Sequence, residues 1–304
     1  MTRGSGTAVP SAPDTSSCTE LITPWPAQAL AALLDIDAPA INAGLPALWH
    51  WVYLLERRRQ SDLGPDGHPT SGIPAPPGPG RLRMFAGGRV WMHSPLRFGE
   101  PAIRTTRVVR TAEKEGRSGP LSFVTVQSVI EQGGALAIID EQDIVYREAT
   151  GTVLGARPPA GDDVSRQPAQ TTGELAMTVN PMVLFRFSAL TYNAHRIHYD
   201  QAYAATEGYP DLVVHGPLQA LLMGECLRRS GVSMLDEQFA YRLIAPTYGA
   251  QRLAVDFSMD GRGHVARVRD GAGCTTATAT LQSLVEPPSP NTSVTGGPRR
   301  SQQP

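Results

Sequence analysis

A plan of one apolar helix followed by four turn-separated strands, written twice along 304 residues, constrains this chain more than any other feature. The first copy opens at LPALWHWVYLLERRR, residues 45–59. There Leu48, Trp51, Val52 and Leu55 recur at the i, i+3, i+4, i+7 spacing of a helix with one apolar face. Pro46 suits the first turn, and Arg57, Arg58 and Arg59 suit the negative end of the helix dipole. The stretch SDLGPDGHPTSGIPAPPGPG, 61–80, can only be a loop. Strands are expected at 89–98, 102–113, 121–131 and 135–148, separated by the glycine-bearing turns FGEP, KEGRSGP and QGG. In the third, Leu121, Phe123 and Thr125 fall on one face and Val124, Val126 and Ile130 on the other, as in an antiparallel meander. The second copy places its helix in HGPLQALLMGECLRRSG, 215–231. Leu218, Leu221, Leu222 and either Glu225 or Cys226 line one side, and Gly231 marks the stop. Its strands are expected at 239–245, 251–259, 263–270 and 274–285.

A curved sheet wrapped around an apolar helix buries both elements, and two such units side by side can join their sheets. The predicted fold is therefore α+β, a tandem or double hot-dog, each half an antiparallel sheet around a central helix. The polar, Pro- and Gly-rich ends read as a disordered leader, 1–17, and a disordered tail, 286–304. A linker at 155–172 then separates an N-terminal hot-dog, 18–154, from a C-terminal one, 173–285. A net charge of −1 offers no basic field for nucleic acid or an anionic membrane. Cys18, Cys226 and Cys274 form no CxxC pair, so neither a disulfide framework nor a zinc ribbon is expected. The leader has no apolar core and no run nears the ~18 apolar residues of a bilayer span, so a cytoplasmic protein is the expectation.

Reactive side chains concentrate in FRFSALTYNAHRIHYD, 185–200, which carries Tyr192, Asn193, His195, His198, Tyr199 and Asp200. His215 and Gly216 follow at the entrance of the second helix. Adding water to a double bond conjugated with a thioester needs a base, an acid and a donor for the enolate-like oxygen. Imidazole can move either proton near neutrality. Free amides at a helix start suit the oxyanion, and a glycine there lets the substrate carbonyl come close.

The segment 184–225 resembles the MaoC-like dehydratase and hydratase superfamily, in the branch of type 2 hydroxyacyl-thioester dehydratases and mesaconyl-C4-CoA hydratases. HWVYLLE, DGHP, MFAGGRVWMHSPLRFGE, KEGRSGPLSFV and DEQDIVYRE resemble the FAS1-like N-terminal half of the same enzymes, so the likeness covers roughly 20–285. It implies a double hot-dog acting on coenzyme A or acyl-carrier thioesters without a metal, with the second half catalytic and the first shaping the acyl pocket. The superfamily motif is Asp-x-Asn-Pro-x-His. Here His198 falls on the motif histidine, but Asn193 stands where the carboxylate should be. Asn cannot take a proton, though it can orient a water. His195 is then the first candidate for the second proton-transfer group and Asp200 the second.

Each residue also has a plainer reading. Asp200 could cap a short helix in DQAYAATEG. His195 and Tyr199 could simply pack, Tyr192 could form a pocket wall, and Gly216 could serve only close helix–sheet packing. The HxxH spacing of His195 and His198 lies in a loop and lacks a firm third ligand, so no metal is expected. AGGR, 86–89, reads as a turn-like glycine pair rather than a phosphate loop, and no cofactor is expected. Arg81, Arg83, Arg89, Arg97, Arg104 and Arg107 suit either CoA phosphates, a second carboxylate or solvent, with Arg97 the candidate for binding.

The expected activity is a hydro-lyase: reversible hydration of an enoyl-CoA, with a short branched dicarboxylyl-CoA such as mesaconyl-C4-CoA or itaconyl-CoA first. A 3-hydroxyacyl-thioester dehydratase for longer chains, a thioesterase and a non-catalytic partner of another hot-dog subunit remain alternatives. A homodimer through sheet edges is the expected assembly.

Overall fold

Strand-forming residues and turn glycines alternate along most of the chain, and the computed structural model turns them into one sheet. It describes residues 15–76, 80–116, 119–148, 172–261 and 263–283. The strands are β1 (Thr15–Leu21), β2 (Arg81–Met92), β3 (Pro101–Gly116), β4 (Gly119–Gln132), β5 (Ala135–Glu148), β6 (Gly173–Val179), β7 (Glu237–Leu243), β8 (Gln251–Asp260), β9 (Gly263–Arg269) and β10 (Thr275–Ser283). The helices are α1 (Pro24–Leu33), α2 (Pro181–Leu190), α3 (Gln201–Thr206) and α4 (Gly216–Arg229). The strands pair in the order β1-β3-β4-β5-β2-β7-β10-β9-β8-β6, so the strands of the first half meet those of the second at a β2–β7 seam. The fold is the double hot-dog the sequence pattern predicts. No helix among the described residues is long and apolar enough to cross a membrane.

The seam explains the glycine pair. Gly87 and Gly88 lie within β2 at a register shift after Phe85, not in a turn before it. A Cβ on Gly87 would lie 2.4 Å from the Tyr241 carbonyl oxygen, and one on Gly88 2.2 Å from that of Glu141. Only glycine lets β2 press between β5 and β7 at that bulge. The strand therefore begins at Arg81, earlier than the 89–98 expected, and residues 93–98 leave it.

α4 lies against β6, β8, β9, β10 and β2. Ten consecutive residues, Leu218 to Leu227, are buried, so Glu225 and Cys226 are both inside. The expected one-sided stripe becomes all-round burial because the sheet curls over one side and residues 45–54 cover the other. Each fully buried leucine there contributes about 1.5–3 kcal/mol. The Glu225 carboxylate accepts from Trp49 Nε1 at 2.8 Å and from Arg228 Nε at 2.9 Å, which offsets the cost of burying it.

The helix expected at 45–59 does not form. Trp49–Val52 makes a single 3-10 turn, bounded by Leu48 at φ 67° and Leu54 at φ 54°, left-handed positions that end any helix. Every residue from Trp49 to Leu54 is buried, so the segment fills the core on all sides instead of presenting one face. Arg57 pairs with Glu20 and Arg58 with Glu56, not with a helix end. Two expectations about the ends also change. Residues 15–17, assigned to the leader, belong to β1, which pairs with β3. The expected pattern lacks β6, α1 and α2: each helix opens on Pro in its first turn but runs only ten residues and buries three or four of them, too short a stripe to stand out in the sequence. The rest of the expected leader and tail, and the linker apart from Thr172, lie outside the described residues.

Candidate active site

The site grows from the end of α2. Asn180 caps that helix by accepting from Val183 N at 3.0 Å, and the chain leaves it at Tyr192 with φ 51°. A short loop and a 3-10 turn, Arg196–His198, then lead into α3. Val213 N donates to Ile197 O at 2.9 Å, which ties this turn to the extended approach to α4. His198 and His215 are thereby stacked, centroids 3.6 Å apart at 18°.

The tautomers follow from the partners. His198 Nδ1 lies 2.7 Å from the Val213 carbonyl and must donate to it, which leaves Nε2 as an unbonded lone pair. Burial pushes the His198 pKa down to about 3, and the nearby His195 and His68 add to the fall. His215 is also buried and its pKa is far below the ordinary value for the same reason. Its Nε2 lies 2.9 Å from Ser188 Oγ, while Nδ1 has no partner. Gly216 opens α4, where first-turn amides have no intrahelical acceptor. A Cβ there would lie 2.1 Å from Leu243 Cδ1 and 3.1 Å from Phe85 Cδ1, so the glycine also serves close helix–sheet packing.

His195 is buried, with Nε2 3.7 Å from Glu207 Oε1 and its ring perpendicular to His198 at 5.6 Å. Asn193 Oδ1 accepts from the His195 amide at 3.0 Å, so this side chain shapes the loop as well as facing the cavity. Asp200 does not join the cluster. Its Oδ1 caps α3 through Tyr203 N at 3.0 Å, and its Oδ2 accepts from Arg196 at 2.7 and 3.1 Å. The capping bond and then the guanidinium hold its pKa low. With both oxygens committed, it supports the loop and does not face substrate. Arg97 is also elsewhere: it is exposed, forked onto Glu100 at 2.6 Å, and lies by the β4–β5 turn at Gly133. Phe85, which touches the start of α4, is seven residues back along β2 from Met92, on the order of 20 Å.

The structure adds residues that the sequence pattern missed. Loop 64–70 of the first half docks on the loop that follows α2: Arg196 N donates to Asp66 O at 2.9 Å and the Arg196 guanidinium to Pro65 O at 3.0 Å. A Cβ on Gly67, at φ 89°, would lie 1.8 Å from the Ala194 carbonyl oxygen. This approach carries His68 to a ring distance of 4.0 Å from His195, with Asp66 Oδ2 3.0 Å from His68 Nδ1. Burial would raise the Asp66 carboxyl, but the His68 hydrogen bonds and the charges of His68 and His195 outweigh it and hold it at about 2. Burial lowers His68, against the pull of Asp66. The signal was present in DGHP, a turn sequence carrying a titratable pair, yet nothing local says which loop it meets. Asp66, His68 and His195 place ligand-type atoms within 4.8 Å of one another. The Asp66 and His68 atoms already satisfy each other, so the trio reads as a hydrogen-bonded carboxylate–imidazole pair against a second ring.

A cavity of about 420 Å³ opens onto this cluster, with His68, Phe185, Ser188, Tyr192 and Asn193 in its wall. Arg83 lies on the inner face of β2, two residues from Phe85 and opposite Tyr146. Unlike Arg89, which is forked onto Glu141 and Asp143, it makes no ion pair or hydrogen bond among the described residues. Burial lowers its pKa, with Tyr146, Asp66 and Glu56 opposing the fall, and its charge reaches His68.

Comparison with known proteins bears on the family and the fold. A family model, hydroxyacyl-thioester dehydratase type 2, matches residues 48–249. The mesaconyl-C(4)-CoA hydratase of Chloroflexus aurantiacus is 46% identical over 262 residues, covering 84% of this chain and 91% of that protein. Among solved structures, HtdX of Mycobacterium tuberculosis superposes with a TM-score of 0.62 at 14% identity, covering 89% of this chain and 100% of that one. Another M. tuberculosis protein, described as having a double hotdog fold, gives 0.54 at 15% identity over 90% of this chain and 96% of its own. At those identities the two structures support the fold alone. The family match and the hydratase together show that this chain belongs to the hydroxyacyl-thioester dehydratase type 2 family of hydro-lyases.

Proposed function

We propose that this hydro-lyase reversibly adds water across the conjugated double bond of a short, branched dicarboxylyl-CoA of the mesaconyl-C4-CoA kind. The observation that carries the reading is His198: a buried, neutral imidazole with its Nε2 lone pair free, stacked on His215 at the open start of α4. That nitrogen accepts a hydrogen bond from the attacking water and fixes its oxygen toward the β-carbon. As the C–O bond forms, the π electrons move onto the thioester oxygen, where the Gly216 amide and the dipole of α4 meet the charge. The α-carbon then takes a proton, and the reverse sequence is dehydration. Asn193 and Tyr192 on the cavity wall orient water and acyl chain, and His195 backs the site. Arg83, on β2 with its charge reaching His68 and no ion pair among the described residues, supports an acyl group that carries its own carboxylate. The 46% identity to a mesaconyl-C(4)-CoA hydratase supports the same substrate class.

A panel of CoA thioesters, dicarboxylic and monocarboxylic, tests this directly. Loss of enoyl absorbance without release of free thiol, fastest for the dicarboxylic members, is the expected result. Release of CoA thiol at the same rate would make the protein a thioesterase. A preference for long neutral 3-hydroxyacyl chains would leave the hydro-lyase but remove the dicarboxylate.

A further inference from the structure

Asn193 leaves a chemical gap: the motif of the wider superfamily has a carboxylate there, and an amide cannot carry the proton that must leave water and reach the α-carbon. The other candidates on the second half are already committed. Asp200 has both oxygens bonded, and Glu207 faces His195 and is almost fully buried. His198 is so strongly disfavoured as a cation by its burial that it suits hydrogen-bond acceptance better than proton storage.

We infer that the first half supplies the missing group: His68, oriented by Asp66, carries the proton. Three independent observations place it there. His68 is on the wall of the 420 Å³ cavity together with Asn193 and Ser188. Its Nδ1 is bonded to Asp66 Oδ2 at 3.0 Å, so Nδ1 carries the hydrogen and Nε2 is left with a lone pair that no described residue bonds. Its loop is locked against the catalytic loop by Arg196 N to Asp66 O at 2.9 Å and by a contact at Gly67 that admits no side chain. This is a carboxylate–imidazole dyad rebuilt across two halves of one chain, with Asp66 as positioning residue and His68 as catalytic residue.

The step balances with one water. His68 Nε2 takes a proton from water while the water oxygen bonds to the β-carbon and the π electrons move to the thioester oxygen. The ionised Asp66 beside it stabilises the transient imidazolium. As the enolate collapses, the same proton passes from Nε2 to the α-carbon, which regenerates neutral His68. Water is consumed, nothing is oxidised or reduced, and His198 Nε2 holds the remaining O–H throughout.

This inference rests on the hydratase reading, and the test separates the two. Wild-type protein and the variants His68→Gln, His68→Ala and Asp66→Asn are assayed with the thioester panel, with thermal midpoints measured alongside. His68→Gln is expected to lower kcat by about 10²–10⁴-fold with KM within a few-fold. Added imidazole should restore part of the His68→Ala activity, which a merely structural histidine would not allow. The acid limb of kcat/KM reports neutral His68, whose charged neighbours are Asp66, His195, Arg83 and, at the cavity edge, Glu56 and Arg58. Asp66→Asn removes the carboxylate that raises His68, so the limb should move to lower pH as the plateau falls. A folded His68→Gln with kcat within about threefold of wild type overturns the role of His68. A limb that does not move in Asp66→Asn overturns the dyad. Wild-type protein inactive on every enoyl thioester would sink the hydratase reading itself, independently of either result.

Discussion

The two halves use the same strand pattern around different centres, and the difference shapes the cleft between their loops. In the second half, α4 runs fourteen residues with ten in a row buried, so its first turn is a rigid platform holding His215 and Gly216. In the first half, the corresponding apolar segment is broken at Leu48 and Leu54 and fills the core as irregular chain. Giving up the helix frees the following stretch, 61–76, to cross to the other half and deliver Asp66 and His68. One half provides a fixed frame, and the other provides a reaching arm.

The frame is tested at His198. His198→Asn should lower kcat by about 10²–10³-fold, measured as enoyl absorbance lost, because the replacement cannot keep both the Val213 bond and an Nε2 acceptor. Retained turnover would move the site out of the second half. Acid should unfold the protein from the same place. His198, His215 and His68 have folded pKa values lowered by burial from 6.5, so the unfolded chain binds protons that the folded one refuses. Their stabilisation is complete above about pH 6.5 and is lost as pH falls, by up to roughly 1.4 kcal/mol per unit for each imidazole. For His198 that window runs down to about 3. Denaturant midpoints measured between pH 7 and 4 check the slope, and a flat profile would contradict the burial of these rings.

The arm is tested at its hinge. Gly67→Val places a side chain against the Ala194 carbonyl and forces φ 89° on a branched residue. A loss of about 2–3 kcal/mol and a fall in kcat of tenfold or more are expected, read by melting and by turnover. A smaller, selective effect is expected at Arg83→Gln: kcat/KM for dicarboxylyl thioesters should fall about 10–100-fold while neutral acyl chains change little. Equal losses on both substrates would place Arg83 in folding instead. Arg97→Gln should change turnover less than twofold and stability by less than about 0.5 kcal/mol, since its forked pair with Glu100 is exposed. A large effect there would mean that the two halves share a second site.

Much of this was legible in the linear chain. The strands at 135–148, 251–259 and 263–270 follow from β-branched runs between glycine turns, and the chain builds them within a residue of those bounds. α4 was legible because its caps and period agree, and Asp200 as an N-cap because Asp before an Ala-rich turn favours that role. The apolar period at 45–59 misled because burial on every side also selects Leu, Trp and Val, whatever the backbone does. The glycine pair misled because a close approach between strands and a turn demand the same residue.

Local patterns in the sequence determined the fold class and picked out histidines 195, 198 and 215, whose rings the fold brings together, because propensity, periodicity and motif spacing act over a few residues. Tertiary structure alone decided that Asp66 and His68 join them from more than 120 residues away, and that Asp200 and Arg97 do not. It also decided which nitrogen of His198 is free, since that depends on the Val213 carbonyl facing it. Such pairings are made by packing between the halves, where a glycine contact, one backbone hydrogen bond and one from the Arg196 side chain choose among loops that the sequence leaves equivalent.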